Sequence, residues 1–292
     1  MKNLLLVGAT GFLGQHLKKF YQTQGWHIYT LGRSSCCDYI FEPNNLDSLF
    51  DIDFTLKFDR IIHAAAINEV DINKNITDTY SVNVTLTRYL IELSHQLNIP
   101  EFVYISTFHV YGKSDGIIDC NSACEPKNDY GLTHYLSEQI VGTLGRVYGI
   151  STLIVRPTNI YGCPVDMGSF NRWTLVPFAF IKSAKEERLI TIKSTGKQIR
   201  NFVSVNDVVK STLLVDRLNV VNAYGLDTQS IKAFAQNISR ILMSEYELKI
   251  VVTWLEDDDS KNENQLTFTE NRNYLPIEKV DNYIQNFYRV IK

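Results

Sequence analysis

The stretch that most constrains this chain is Asn3-Leu4-Leu5-Leu6-Val7 followed by Gly8-Ala9-Thr10-Gly11-Phe12-Leu13-Gly14. An apolar run of strand length meets a glycine turn, and an amphipathic run begins where the turn ends. The pattern predicts strand, tight turn and helix. Such a turn aims backbone N–H groups and the positive end of a helix dipole at one point, which suits a pyrophosphate. Gly8, Gly11, Phe12, Leu13 and Gly14 are therefore candidate cofactor contacts.

The first helix carries Leu13, Leu17, Phe20, Tyr21 and Gln24 on one face, with Gly25 as its stop. Strands follow at Trp26 to Leu31, Tyr39 to Phe41 and Asp59 to Ala66, the last running into small residues that suggest backbone close to a ligand. Leu86, Leu90, Leu93 and Leu97 mark a helix halted at Asn98-Ile99-Pro100. Glu101 to Ile105 reads as a strand, Asp115 to Asp129 as a polar loop, Tyr130 to Val147 as a helix and Thr152 to Val155 as another strand. Alternating strands and helices argue for an α/β fold, a Rossmann-type doubly wound parallel sheet with its ligand over the carboxyl ends of the strands. After Arg156-Pro157 the pattern loosens. The division expected is a dinucleotide-binding domain over 1–160, with about 200–225 returning to it, and a smaller, partly interleaved substrate-binding lobe over 161–292. Glu256 to Asn264 reads as a solvated loop.

The 292 residues are 45% hydrophobic and 21% charged, enough apolar material for a large core. A net charge of −3 gives no argument for nucleic acid or a membrane surface as partner. The apolar start is too short for a signal peptide, and no segment approaches the roughly 20 apolar residues of a membrane span. Cys36, Cys37, Cys120, Cys124 and Cys163 are odd in number and form no C-x-x-C pair, so reduced thiols, a cytoplasmic location and no metal site are expected.

Ile105-Ser106-Thr107 ends a strand at the expected ligand edge, and Tyr130 and His134 share a helix face one turn apart. A phenol beside positive charge can exchange protons near neutral pH, and the Thr107 hydroxyl can hold the reacting oxygen.

Six ordered segments carry a family resemblance: Gly8 to Gly14 as G-x-x-G-x-x-G, His63-Ala64-Ala65-Ala66 as H-x-A-A, and Ser106 to Gly112 as S-[ST]-x-x-V-Y-G, then Tyr130 to His134 on Y-x-x-x-K, Arg156 to Gly162 as R-P-x-N-x-Y-G and Arg200 to Val208 as R-D-F-I-x-V-x-D-V. The chain resembles the extended short-chain dehydrogenase/reductases of the nucleotide-sugar epimerase, dehydratase and reductase group. The C-terminal third matches only weakly.

The resemblance implies Tyr130 as acid/base, Thr107 as the group orienting substrate oxygen, Ala64 and Ala65 as cofactor lining, and Asn159 and Arg200 at the diphosphate of the substrate, where a guanidinium fork suits phosphate oxygens. The family lysine hydrogen-bonds the nicotinamide ribose and lowers the tyrosine pKa. His134 stands there, mostly neutral at pH 7 yet able to hydrogen-bond ribose hydroxyls. Family dehydratases carry an Asp-Glu pair after the threonine; here those positions are Phe108 and His109. His109 is either an extra proton-transfer group or a polar loop residue, and Cys163 is a candidate base. Gly32-Arg33-Ser34 ends the second strand without an acidic residue for a ribose 2′-hydroxyl, and Arg33 suits a 2′-phosphate, so NADP is favoured over NAD. The function implied is an NAD(P)-dependent oxidoreductase reducing a nucleotide-linked 4-keto-6-deoxy hexose, in surface-polysaccharide or deoxysugar biosynthesis. A 4-epimerase is the alternative. A non-catalytic cofactor-holding sensor or scaffold is an alternative of another class, motivated by His134. A homodimer through a four-helix bundle is also implied, supported by the leucine stripe of Leu86 to Leu97.

Overall fold

The structure, a computed structural model, describes residues 2–217, 219–255, 265–269 and 273–291. The run Glu256 to Asn264 lies outside the described residues. In chain order the first elements are β1 (Asn3–Val7), α1 (Phe12–Thr23), β2 (His27–Gly32), β3 (Tyr39–Ile40), β4 (Arg60–His63), α2 (Ile76–Tyr80), α3 (Leu86–Gln96) and β5 (Glu101–Ile105). Then come β6 (Gly116–Ile118), α4 (Asp129–Tyr148), β7 (Ser151–Pro157), β8 (Asn159–Tyr161), α5 (Val176–Glu187), β9 (Leu189–Thr191), β10 (Ile199–Ser204) and α6 (Val205–Ser211). The last are β11 (Val220–Ala223), β12 (Asp227–Ser230), α7 (Ile231–Tyr246), β13 (Val251–Thr253), β14 (Leu266–Phe268) and α8 (Val280–Val290).

The chain forms two compact units. The first comprises Met1–Gly112, Cys120–Arg156 and Val209–Asn222; the second comprises Lys113–Asp119, Pro157–Val208 and Ala223–Lys292. The segment returning to the first unit is therefore Val209–Asn222, and residues 200–208 stay with the second.

In the first unit a seven-stranded sheet runs in the order β3-β2-β1-β4-β5-β7-β11. Neighbours from β3 to β7 are parallel. The order departs in opposite directions from the β1/β4 pair, and in such sheets the carboxyl edge at that point receives the ligand. Leu4, Leu5, Leu6, Ile61, Ile62, Phe102 and Val103 are wholly buried, which is why these strands read as unbroken apolar runs. The leucine stripe of α3 has the same destination. Leu86, Leu90 and Leu93 lie in the core with Ile61 and Phe102, so the stripe is not an exposed surface and gives no support to a helix-bundle dimer. The outer face of α3 carries the Arg88–Glu92 ion pair instead.

A buried polar network ties β5, α4 and β7 together. Arg156 on β7 holds Glu138 on α4 through two hydrogen bonds, at 2.9 and 2.6 Å. The Ser106 hydroxyl donates to the same carboxylate at 2.5 Å. Arg156 also donates to the Tyr111 hydroxyl, which donates in turn to Asn222 Oδ1. Burial disfavours the charged guanidinium, but the hydrogen bonds and charge of Glu138 outweigh it and push the Arg156 pKa up.

In the second unit β10 lies between β8, parallel to it, and β12, antiparallel. In its core Tyr283 stacks on Phe287 and Phe178 meets both edge-on. Asp207, the aspartate of the last sequence motif, accepts the backbone N–H groups of Ile277 and Glu278, both at 3.2 Å, and so anchors the C-terminal segment. Within Asp115 to Asp129, read above as loop, β6 pairs in parallel with β14. Three residues are too few for a period-2 pattern, and the partner strand lies far along the sequence.

Removing one member of a buried ion pair leaves the other charge uncompensated, at a cost of about 3–5 kcal/mol. Glu138→Ala is expected to lose that much stability, measured by urea denaturation.

Candidate functional site

The glycine turn closes where β1 and β4 end. Gly8 has φ +85°, and a Cβ there would stand 2.7 Å from the backbone nitrogen of Ala65. A Cβ on Gly14 would collide with the Gly8 carbonyl oxygen. The N–H of Gly11 donates to Gly8 O at 3.1 Å, and that of Ala64 to Val7 O at 2.9 Å. Glycine at 8 and 14 thus lets β1, α1 and the end of β4 approach closely. α1 begins at Phe12 with Gly11 at its cap position, no side-chain cap and no carboxylate in its first turn. That N-terminus can accept a diphosphate without competition from the chain's own side chains. Gly8, Gly11, Phe12, Leu13, Gly14, Ala64 and Ala65 meet along this edge, and the cradle fits a dinucleotide.

Arg33 is exposed just beyond β2. Its loop is pinned by Asp38, whose Oδ2 accepts the Thr30 N–H at 2.8 Å and the Thr30 hydroxyl at 2.7 Å. Those hydrogen bonds hold the Asp38 carboxyl below its usual range.

Thr107 follows β5 and is buried, its Oγ1 accepting the His109 N–H at 3.3 Å. Tyr130 sits in the first turn of α4, which is capped by Asn128 through a hydrogen bond from the Gly131 N–H. The Tyr130 ring is half-buried and meets two histidines edge-on, His134 at 4.7 Å and His109 at 5.6 Å between centroids.

The two histidines differ. His134 is 2% exposed, its Nδ1 is 2.7 Å from the Tyr104 hydroxyl, and its buried Nε2 has no hydrogen-bond partner. Burial first, and then His109, push it down to about 3. It is neutral at pH 7, and its Nδ1 is turned toward Tyr104 in the core. His63 is wholly buried beside Tyr104, its Nε2 3.0 Å from Thr87 Oγ1. Since the Thr87 hydroxyl donates to Asn83 O, Nε2 carries the proton of His63. Burial and the nearby His134 push His63 down to about 3. His109 is half-buried.

Two residues around this cluster escaped the sequence reading. Tyr104 lies within the apolar run of β5, where nothing in the sequence sets it apart from core packing. Asn83, 1% exposed, accepts the Ile67 N–H at 2.7 Å and donates to Thr133 Oγ1 at 3.2 Å, joining the segment after β4 to α4. An asparagine just before an apolar helical stripe is the one signal that could have marked it.

Asn159 and Arg200 lie on β8 and β10 of the second unit. Asn159 donates to Asn201 O at 2.9 Å. Desolvation pulls the Arg200 pKa down. Burial pushes the Cys163 thiol up to about 11, which keeps it protonated at neutral pH and disfavours it as a base. Among the described residues no group of three His, Cys, Asp or Glu side chains could hold a metal, and no helix is long and apolar enough to cross a membrane.

The sheet order and the glycine cradle define a Rossmann-type dinucleotide-binding unit. The chain belongs to the NAD dependent epimerase/dehydratase family, whose model matches residues 4–223. It is 27% identical over 265 residues to the dTDP-D-glucose 4,6-dehydratase of Dictyostelium discoideum, covering 78% of this chain and 58% of that one. A putative UDP-glucose 4-epimerase of Methanocaldococcus jannaschii is 29% identical over 224 residues, 72% of each chain. The chain spans only 58–65% of the length of four dTDP-D-glucose 4,6-dehydratases that it matches. The solved structure of RMD from Pseudomonas aeruginosa complexed with NADPH superposes with a TM-score of 0.81 over 99% of this chain and 98% of that one; at 18% identity it shows the shared fold.

His63 and His134 also make stability fall in acid. Unfolded, both take up protons near pH 6.5; folded, they resist down to about 3. Below pH 6.5 the unfolded chain binds more protons, so stability falls with pH by about 1.4 kcal/mol per pH unit for each histidine. Thermal melts between pH 7 and pH 5 are expected to show that slope, and His134→Gln to remove roughly half of it.

Proposed function

We propose that this protein is an NAD(P)-dependent oxidoreductase acting on a nucleotide-activated sugar, reducing the 4-keto group of a 4-keto-6-deoxy hexose in surface-polysaccharide or deoxysugar biosynthesis. The observation that carries the reading is the placement of Thr107 and Tyr130, on β5's exit and the start of α4, in the same unit as the glycine cradle. The nicotinamide, when bound, supplies the hydride. Tyr130 gives its phenolic proton to the sugar oxygen, and the Thr107 hydroxyl holds that oxygen by a second hydrogen bond. Asn159 and Arg200 take the diphosphate of the substrate.

Several relatives are named as 4,6-dehydratases, but removing water needs an acid for the leaving hydroxyl as well as a base. Phe108 is buried and has no proton to give, which favours reduction over dehydration. A 4-epimerase would use the same Thr107 and Tyr130, and the archaeal relative is named as one. NADP is preferred over NAD because Arg33 is exposed at the end of β2 and the Asp38 carboxylate is turned back on Thr30. A homodimer is also proposed, on resemblance alone.

Purified protein is incubated with NADPH and a panel of 4-keto-6-deoxy nucleotide sugars, and the reduced-nicotinamide absorbance is followed. Oxidation is expected, with Tyr130→Phe lowering kcat by about 10²- to 10⁴-fold. Product formed without net oxidation would identify an epimerase. Cofactor binding with no turnover on any sugar would identify the scaffold. In titrations of cofactor binding, Arg33→Ala is expected to weaken NADPH about tenfold, the scale of one charged contact, and to leave NADH unchanged. Equal wild-type affinity for the two cofactors would remove the preference.

A further inference from the structure

The proton that Tyr130 gives away must be replaced once per turnover. On α4 the neighbour is His134, which is enclosed, neutral and tied to Tyr104. It offers no route from solvent and no charge. The other histidine at the Tyr130 ring is His109, on the short turn Phe108–Tyr111 that follows Thr107. Its position is fixed on three sides. Its backbone N–H donates to Thr107 Oγ1, its ring packs on Phe108 at 4.7 Å between centroids, and its carbonyl lies so close to Gly131 that a Cβ there would stand 2.6 Å away. The titratable groups that α4 presents to it are Tyr130 and His134. Asp129, also in that first turn, accepts a hydrogen bond from the Tyr80 hydroxyl at 2.9 Å, and Glu138 is held by Arg156. Of the two histidines at the Tyr130 ring, only His109 is more than marginally exposed.

We infer that His109 is the proton carrier that serves Tyr130, receiving a proton from solvent and passing it to the phenolate left after each reduction. This rests on the reductase reading above. The step balances: the hydride and the Tyr130 proton saturate the carbonyl, the imidazolium N–H bond of His109 breaks as the phenol O–H bond re-forms, and the neutral imidazole takes up H+ from solution, so each turnover consumes one hydride and one solvent proton. His109 acts through Tyr130 and needs no contact with the sugar. It fills part of the electrostatic place that His134 cannot fill.

The test has two arms. In the first, the histidine ring signals of the substrate-free protein are followed by NMR against pH, with His109 assigned from the spectrum of His109→Gln. The His109 ring is expected to change charge across the neutral range, His134 to stay neutral, and Tyr130→Phe to move the His109 midpoint. A His109 ring that does not titrate, or a midpoint indifferent to Tyr130→Phe, overturns the inference, whether or not a sugar is turned over. In the second arm, His109→Gln is expected to lower kcat about 10- to 100-fold, to flatten its pH profile and to leave KM nearly unchanged, and added imidazole to restore His109→Ala. An unchanged rate and profile in His109→Gln overturn the inference while the reductase reading stands. Turnover that survives Tyr130→Phe instead sinks that reading.

Discussion

The first unit depends on one buried ion pair. Glu138 and Arg156 are each nearly inaccessible to water, and a charge in such a place is tolerated only when its partner and its remaining hydrogen bonds are all in place. Here they are: Ser106 and Tyr111 complete the set, and Asn222 extends it. The pair fixes three things the site needs. It sets the height of α4 against the sheet, and so the position of Tyr130 two turns earlier. It holds Ser106, beside Thr107, at the end of β5. It joins β7 and the returning segment to the same frame. Such a pair adds little net stability over an apolar replacement, but it is intolerant of error in register, which is its use beneath a reacting group.

Local backbone demands were legible in the sequence. Gly8 and Gly14 are glycines because a side chain would strike Ala65 or Gly8 itself, and such a requirement leaves its mark wherever it occurs. A parallel sheet follows from the alternation of strands and helices, so a ligand edge at the carboxyl ends of the strands, where Ala64, Ala65 and Thr107 lie, could be read in advance, although the strand order could not. What depended on partners distant in the chain could not. The leucine stripe of α3 has one periodicity whether it faces a core or another helix, and only the sheet decides. The short strand β6 is recognisable only beside β14. His134 was placed on the correct helix face, but its direction was set by Tyr104, a strand residue with no signal of its own.

The interior beneath Tyr130 is therefore different from what a lysine would make. Tyr104, His63 and His134 form a compact neutral group, with burial pushing the phenol up and both imidazoles down. A fixed positive charge would sit poorly there, because its field would have no counter-ion among these side chains and little water to screen it.

The returning segment bears on how the protein is made. Thr212 accepts at its carbonyl from Arg60 and shares its hydroxyl with Tyr21, so the first unit is complete only with residues from beyond position 208. The second unit needs α8 and the segment held by Asp207, at the far end of the chain. On the ribosome, then, neither unit can close around its own early residues as they emerge. The segment Val209–Asn222 must leave the exit tunnel before the first core is sealed. α8 must be out before the second is, which leaves an interval in which nascent apolar strands stay uncovered and open to misassembly.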